Sequence, residues 1–151
     1  MKVIKLSILF FVLIISNSFS TEIIIDMLNK REDGQRMVYS QDIVNISLGD
    51  TVKWVPKNGG HNVEFVAGPD NFELPPKSII NREVSITFDI PGIYLYVCSP
   101  HSIMGMIGLV VVGNNNSNKE AIAGYNVGGK GSRKLKALLK DINWIVFFRY
   151  P

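Results

Sequence analysis

The sequence predicts a mainly β protein, either a sandwich or a barrel of some eight short strands. Short segments rich in β-branched and aromatic residues recur along the chain, apolar and polar residues alternate within several of them, and glycine or proline turns separate them. With 151 residues, 46% of them apolar, the chain is long enough for one domain with a substantial core.

The candidate strands appear in a regular order before residue 113. They read EIIIDML, MVYS, DIVNISL, TVKWV, NVEFV, EVSITFDI, IYLYVC and IGLVVVG. In TVKWV, Val52 and Trp54 alternate with other residues, as expected of a half-buried strand. Residues 67–81 contain one glycine and three prolines and are expected to form a long loop.

Residues 1–20, MKVIKLSILFFVLIISNSFS, have the pattern of a cleaved secretory signal peptide. Lys2 and Lys5 precede an almost unbroken apolar run from Leu6 to Ile15, and small residues lie before the expected cut. The alternative is a membrane anchor, but a spanning helix needs about 20 apolar residues. We therefore expect export to the periplasm, with no stable membrane insertion after cleavage.

Charge excludes one class of function. The formal net charge is +3, and removal of residues 1–20 leaves 14 basic and 13 acidic residues, a net of +1. This balance gives no electrostatic argument for binding nucleic acid.

Export also restricts the single cysteine, Cys98, which has no intramolecular partner and must be buried, paired with another chain or bound to a ligand.

After residue 113 the chain changes character. Residues 114–142 begin with a polar linker and continue with a short helical segment and a glycine-rich stretch in which Ser132 is a candidate helix N-cap. RKLKALLKDI then spaces apolar residues for one helix face, namely Leu135, Leu138, Leu139 and Ile142. We expect this helix to pack on the β domain, the alternative being a free basic helix at a membrane. Residues 143–151 form an apolar, aromatic tail of unassigned role.

The stretch YVCSPHSIMGMIG, residues 96–108, carries the chemistry. Cys98, His101 and Met106 lie in one loop between two apolar strands, and His61 is the other histidine of the chain. Thiolate, imidazole and thioether are soft to borderline ligands that suit copper far better than magnesium or calcium. Two imidazoles and one thiolate with a weak axial thioether would make a type 1 (blue) copper site.

Each of these residues also has an ordinary structural interpretation. A single cysteine is commonly a small buried apolar residue, a histidine beside Gly-Gly is commonly exposed, and Met104 and Met106 could fill a core. A structural zinc site would want four nitrogen or sulfur ligands without methionine. A cysteine protease would need a third orienting residue, which the sequence does not reveal. The joint pattern favours copper.

These segments resemble the cupredoxins, the small blue copper proteins, and within them the pseudoazurin family. The resemblance rests on DMLNK, GDTVKWVPKNGGHNVE, PGIYLYVCSPHSIMGMIGLVVVG and the Lys/Leu-rich C-terminal helix, and it covers roughly residues 21–142. It implies an eight-stranded Greek-key β-sandwich over residues 21–113 and one copper ion bound by His61, Cys98, His101 and Met106. By the same resemblance, Met104 lies near the site and is not a ligand.

The chain departs from the family at two places. Asp26 stands where the family commonly has a histidine, at a position that does not bind the metal. Residues 143–151 extend beyond the usual end of the family. Neither departure affects the expected ligands.

Four protein ligands leave the metal no open position, so we expect an electron carrier rather than an enzyme. The resemblance implies transient redox partners such as nitrite reductase, nitrous oxide reductase or c-type cytochromes. The alternative is a periplasmic protein for copper storage or delivery. We further expect Asn62 to join the two ligand segments and an apolar collar to surround His101. Candidates for a basic rim around it are Lys30, Arg31, Arg36, Lys57, Lys77 and Lys134.

Overall fold

A computed structural model describes residues 20–147, with side chains as far as Ile142. This part of the chain contains eight strands: β1 (Glu22–Lys30), β2 (Arg36–Tyr39), β3 (Ile43–Ile46), β4 (Thr51–Pro56), β5 (Glu64–Ala67), β6 (Val84–Thr87), β7 (Gly92–Val97) and β8 (Ile107–Val112). A 3₁₀ turn (Ser102–Met104) and the helices α1 (Lys119–Ala123) and α2 (Gly129–Phe147) complete it.

The strands form two four-stranded mixed sheets. This confirms the predicted eight-stranded sandwich rather than a barrel. The first sheet has the order β2-β1-β4-β6 and the second has β3-β8-β7-β5. The β1–β4 and β3–β8 pairs are parallel, whereas the remaining pairs are antiparallel. Because the chain passes repeatedly from one sheet to the other, sheet neighbours are seldom sequence neighbours, as in Greek-key folds.

The space between the sheets holds the inner core. Val52 and Trp54 are fully buried there, as their alternation predicts. Trp54 meets Phe65 and Tyr96 edge to face, with ring centroids 5.6 and 5.1 Å apart. The inner core consists of Ile25, Met27, Tyr39, Val44, Ile46, Val52, Trp54, Val63, Phe65, Phe88, Tyr94, Tyr96, Cys98, Met106, Val110 and Val112.

The outer core lies on the other face of the second sheet, under the two helices. Strands β7 and β8 are buried along their whole length, because one face packs inside the sandwich and the other against α1 and α2. The outer core consists of Ile93, Leu95, Val97, Ile107, Leu109, Val111, Ile122, Leu135, Leu138, Leu139 and Ile142. The apolar stripe of α2 is therefore buried against the sandwich.

Helix α2 begins earlier than the sequence suggests, so the expectation that Ser132 is its N-cap is wrong. The helix starts at Gly129, and Ser132 Oγ accepts a hydrogen bond from the Gly128 N–H (2.8 Å) within the first turn. This first turn lies so close to the residues after His101 that it has no room for side chains at Gly129 and Gly131. A Cβ on Gly131 would lie 2.5 Å from the Ser102 carbonyl oxygen.

Two expectations concern the ends of the chain. The expected signal peptide lies outside the described residues except for Ser20, and so do the side chains of residues 143–151. Among the residues that are described, no helix is long and apolar enough to span a bilayer.

Candidate metal centre

Three of the four predicted ligands lie on one loop, residues 98–106, which we term the ligand loop. Cys98 directly follows β7 and Met106 directly precedes β8, and these strands pair antiparallel with Val97 opposite Ile107. The ends of the loop are therefore adjacent, and the Cys98 N–H donates to the Met106 carbonyl at 2.9 Å. Within the loop, the His101 N–H donates to the Cys98 carbonyl at 2.9 Å. The backbone thus fixes the spacing of the loop side chains.

His61 reaches the same point from the turn between β4 and β5. Strand β5 pairs with β7, so the residues before β5 lie beside those after β7. Gly60 adopts a left-handed conformation (φ +92°) that favours glycine, and a Cβ there would lie 3.8 Å from His101 Cε1. The His61 carbonyl accepts a hydrogen bond from the Asn81 N–H at 2.9 Å, which ties this turn to the long loop before β6.

The two imidazoles converge on the cysteine sulfur. Cys98 Sγ lies 3.4 Å from His101 Nδ1 and 3.8 Å from His61 Nδ1. One candidate ligand atom from each of the three residues falls within 4.8 Å of the others. His61 and Cys98 are fully buried, whereas His101 is partly exposed. This is the donor set of a compact metal centre that reaches the surface on the His101 side.

Met106 shares the inner core with Cys98 and is fully buried. Met104, by contrast, exposes 48% of its surface, and Ile103 exposes 63%. The 3₁₀ turn and the left-handed Gly105 (φ 102°) place consecutive methionines in these different environments. Burial thus distinguishes the two methionines, with Met106 in the core that holds Cys98 and Met104 at the surface.

The electrostatics lower the pKa of His61 and, on balance, raise the pKa of Cys98, so only the histidine is already biased toward its metal-binding form. Burial lowers the pKa of His61, and the nearby His101 lowers it further, so neutral imidazole is preferred. Burial raises the pKa of Cys98, but hydrogen bonds from the backbone N–H groups of Asn62 and His101 act in the opposite direction. These N–H groups are placed to stabilise a thiolate, and a bound cation would add to that effect.

Asn62 joins the two ligand segments, as predicted. Its Oδ1 accepts from the Ser99 N–H (2.8 Å), and its Nδ2 donates to Ser99 Oγ (2.9 Å). Each of these residues directly follows a candidate ligand, His61 or Cys98. The Asn62 carbonyl also accepts a hydrogen bond from Tyr39 Oη at 2.8 Å, which anchors the segment to the inner core.

Asn29 contacts a candidate ligand directly and was not predicted from the sequence. His61 Nε2 lies 2.9 Å from Asn29 Oδ1, near the end of β1. Because an amide oxygen only accepts, this contact keeps the proton on Nε2 and leaves the Nδ1 lone pair free toward Cys98. Nothing in the local sequence distinguishes Asn29 from other turn asparagines; only the fold brings it across 32 positions to His61.

The predicted basic rim is only partly present. Arg31 and Lys134 both pair with Asp42, at 3.0 and 2.6 Å, and Lys57 lies 3.8 Å from Asp26. Arg36, another predicted rim residue, lines an open groove of ≈ 710 Å³ next to Ile103 and Met104. Two cations that were not predicted, Lys130 and Arg133, line the same groove. Among the described residues, no carboxylate forms an ion pair with these three.

The donor set fits copper. It comprises two imidazole nitrogens and one cysteine sulfur in a buried pocket, with a methionine at the adjoining end of the loop. Among the described residues, no carboxylate joins this cluster, so it lacks the oxygen ligands that hard cations such as magnesium require.

Comparisons with known proteins agree with this chemistry. Residues 25–113 match the family model of copper binding proteins, plastocyanin/azurin family. Pseudoazurin from Methylorubrum extorquens is 35% identical over 123 residues, covering 80% of this chain and 82% of its own length. Pseudoazurin from Paracoccus pantotrophus is 36% identical over 124 residues, covering 79% of this chain and 82% of its own.

A solved structure gives the same result in three dimensions. Native pseudoazurin from Hyphomicrobium denitrificans superposes with a TM-score of 0.74 at 34% identity, covering 80% of this chain and 97% of that one. The matched part thus spans both the sandwich and C-terminal residues beyond it. The chain therefore belongs to the copper-binding plastocyanin/azurin family and, within it, to the pseudoazurins, whose members are blue copper electron carriers and not enzymes.

Proposed function

We propose that this protein carries single electrons in the periplasm on one copper ion bound by His61, Cys98, His101 and Met106. The observation that carries the proposal is the convergence of His61 Nδ1 and His101 Nδ1 on the buried Cys98 sulfur. Copper bound there would alternate between Cu(I) and Cu(II). Met106, buried in the same core as Cys98, would supply a thioether that holds the ion weakly.

The chain's own contribution is a site that changes little between the two oxidation states. Asn29 holds the ring of His61, Asn62 joins the two ligand segments, and backbone hydrogen bonds fix the ligand loop. Side chains held in this way leave little to reorganise when an electron enters or leaves. The inner core excludes water from Cys98, which limits access of other ligands to the thiolate.

Electrons would pass through His101, the partly exposed ligand. Ile103 and Met104 form an exposed apolar collar beside it, and the groove with Arg36, Lys130 and Arg133 adds positive charge. A small apolar contact with a charged margin suits brief encounters with redox partners. The partners we propose are c-type cytochromes, nitrite reductase and nitrous oxide reductase, with donation to respiratory or denitrification reductases. We also propose that residues 1–20 are the export signal.

The first test is colour and metal content. The protein purified with copper should bind one ion per chain and show the intense visible absorption of thiolate-to-copper charge transfer. Cys98→Ser should lose that absorption, because a hydroxyl is a harder and much less acidic ligand. Cys98→Ser that kept the intense colour with full copper would overturn the ligand assignment.

The second test separates electron transfer from copper storage or delivery. Stopped-flow mixing of the reduced protein with each proposed partner should give rapid oxidation while copper stays bound. Ile103→Lys should slow this exchange with the visible spectrum unchanged, because the new charge must be desolvated on docking. Transfer of copper to an acceptor protein faster than transfer of electrons would favour delivery.

Cell fractionation and N-terminal sequencing of the mature chain test export.

A further inference from the structure

A carboxylate lies at the end of the hydrogen-bond chain that joins the two ligand segments. Glu64 is the first residue of β5 and pairs with Val97, which immediately precedes Cys98. Glu64 Oε2 accepts a 2.6 Å hydrogen bond from Ser99 Oγ. The same Ser99 oxygen accepts the 2.9 Å bond from Asn62 Nδ2. The carboxylate is thus two hydrogen bonds from the residue that follows His61.

The chemistry of these groups sets the direction of the chain. A serine hydroxyl has one proton to donate and two lone pairs, whereas an ionised carboxylate can only accept. The Ser99 proton must therefore point to Glu64, which leaves a lone pair for the Asn62 amide. Without the carboxylate, the hydroxyl is free to rotate, and its lone pair is no longer held toward the Asn62 amide. Hydrogen bonds to an ionised group are also the stronger kind.

We propose that Glu64 is a positioning residue for the copper site, acting through Ser99 to hold the segment of His61 against the segment of Cys98. The inference rests on the proposed ligand assignment. It predicts that removal of the carboxylate makes copper leave the site faster. Glu64 exerts this effect through Ser99 and Asn62, since these hydrogen bonds do not join it to any proposed ligand side chain. Strand pairing with Val97 keeps the Glu64 backbone in register with the ligand loop, so its side chain is well placed for this task.

The experiment compares copper release from the loaded wild type, Glu64→Gln and Glu64→Ala, followed by the loss of visible absorption in excess chelator. We expect release about tenfold faster for Glu64→Ala, the effect of losing one hydrogen bond to a charged group. Glu64→Gln should fall between, because an amide oxygen can still accept. Amide hydrogen exchange at Ser99, measured in the Cu(I) protein and without copper, should accelerate in the same order.

Glu83→Gln is the matched control, since it also removes one negative charge but from a side chain paired with Lys53 at 2.8 Å. Its release rate should equal that of the wild type. Ser99→Ala completes a double-mutant cycle: if Glu64 acts through Ser99, adding Glu64→Gln to Ser99→Ala should change the release rate little.

Two results would overturn the proposal. One is that Glu64→Ala releases copper and exchanges the Ser99 amide hydrogen at the wild-type rates. The other is that the effects of the Glu64 and Ser99 substitutions on the release rate are fully additive. Thermal unfolding identifies any variant that fails to fold, and the conservative Glu64→Gln then decides through Ser99 exchange. The visible absorption and copper content of Cys98→Ser test the ligand assignment separately, so the two proposals can fail independently.

Discussion

The two faces of strand β7 differ in composition and in what they support. Tyr94, Tyr96 and then Cys98 point into the inner core, where aromatic rings and polar atoms surround the candidate metal centre. Ile93, Leu95 and Val97 point into the outer core, whose members are aliphatic throughout. One strand therefore serves two cores. The inner core shapes the site, whereas the outer core attaches the C-terminal helices.

This comparison implies that the two cores respond differently to substitution. Loss of an outer-core side chain beyond the first turn of helix α2 should affect stability and leave the metal centre unchanged, because that part of the helix packs on the face of the second sheet opposite the inner core. Loss of an inner-core group that holds a ligand segment should affect both.

Leu135→Ala should cost about 2–5 kcal/mol of unfolding free energy, because Leu135 is 1% exposed in the outer core and its truncation leaves a cavity. Urea unfolding measures this effect. The visible spectrum of the copper-loaded variant should equal that of the wild type. Leu48→Ala is the control: Leu48 is 49% exposed, and its truncation should change stability by no more than about 0.5 kcal/mol. An altered spectrum in Leu135→Ala would contradict the separation of the cores.

Tyr39→Phe should cost about 1–3 kcal/mol, since it leaves the buried Asn62 carbonyl without the hydroxyl that donates to it. It should also perturb the visible spectrum, because Asn62 adjoins His61. Tyr96→Phe is a matched control in the same core. Among the described residues, no hydrogen bond of ordinary geometry reaches the buried Tyr96 hydroxyl, so its removal should be neutral or stabilising. Equal losses of stability in the two variants would show that the hydroxyl of Tyr39 has no special role.

Met106→Leu should change stability by less than about 1.5 kcal/mol, because it nearly conserves volume in the inner core. It should retain copper and shift the reduction potential, since a weak axial ligand adjusts the potential rather than holding the metal. Met104→Leu, at an exposed position, should leave the potential near the wild-type value. Voltammetry of both proteins decides the matter. A larger shift for Met104→Leu would exchange their roles.

Asp33→Asn should have the smallest effect, far from both cores. Hydrogen bonds from Arg31 and then from the Gln35 N–H lower the pKa of Asp33 to about 2, below its ordinary 3.8. The folded state therefore binds fewer protons than the unfolded state between these values. The stabilisation is present above pH 4 and disappears as the pH falls toward 2. In thermal unfolding, the difference in melting temperature between the wild type and Asp33→Asn should therefore become smaller as the pH falls from 4 toward 2. Asp70→Asn, at an exposed residue without an ion pair among the described residues, should show no such narrowing.

Local sequence determined the strands and the identity of the donors. Alternation in TVKWV predicted the burial of Val52 and Trp54, and the turn signals between segments predicted the number and order of the strands but not their exact ends. The Cys98–His101–Met106 spacing within a loop between two apolar runs indicated copper. These features depend on neighbours in the chain, where backbone period and residue type act directly.

Only the tertiary structure decided how the site is held. IYLYVC and IGLVVVG read as unbroken apolar runs, and such runs do not reveal which face meets the other sheet and which meets a helix. Asn29 and Glu64 reach their partners across 32 and 35 positions, because strand pairing and sheet packing bring distant segments together. Arg31 and Lys134 appeared free to form a basic rim, but the fold brings Asp42 to both. Hydrogen bonds and ion pairs of this kind depend on distances in space, and those distances are set by the packing of the two sheets and helix α2.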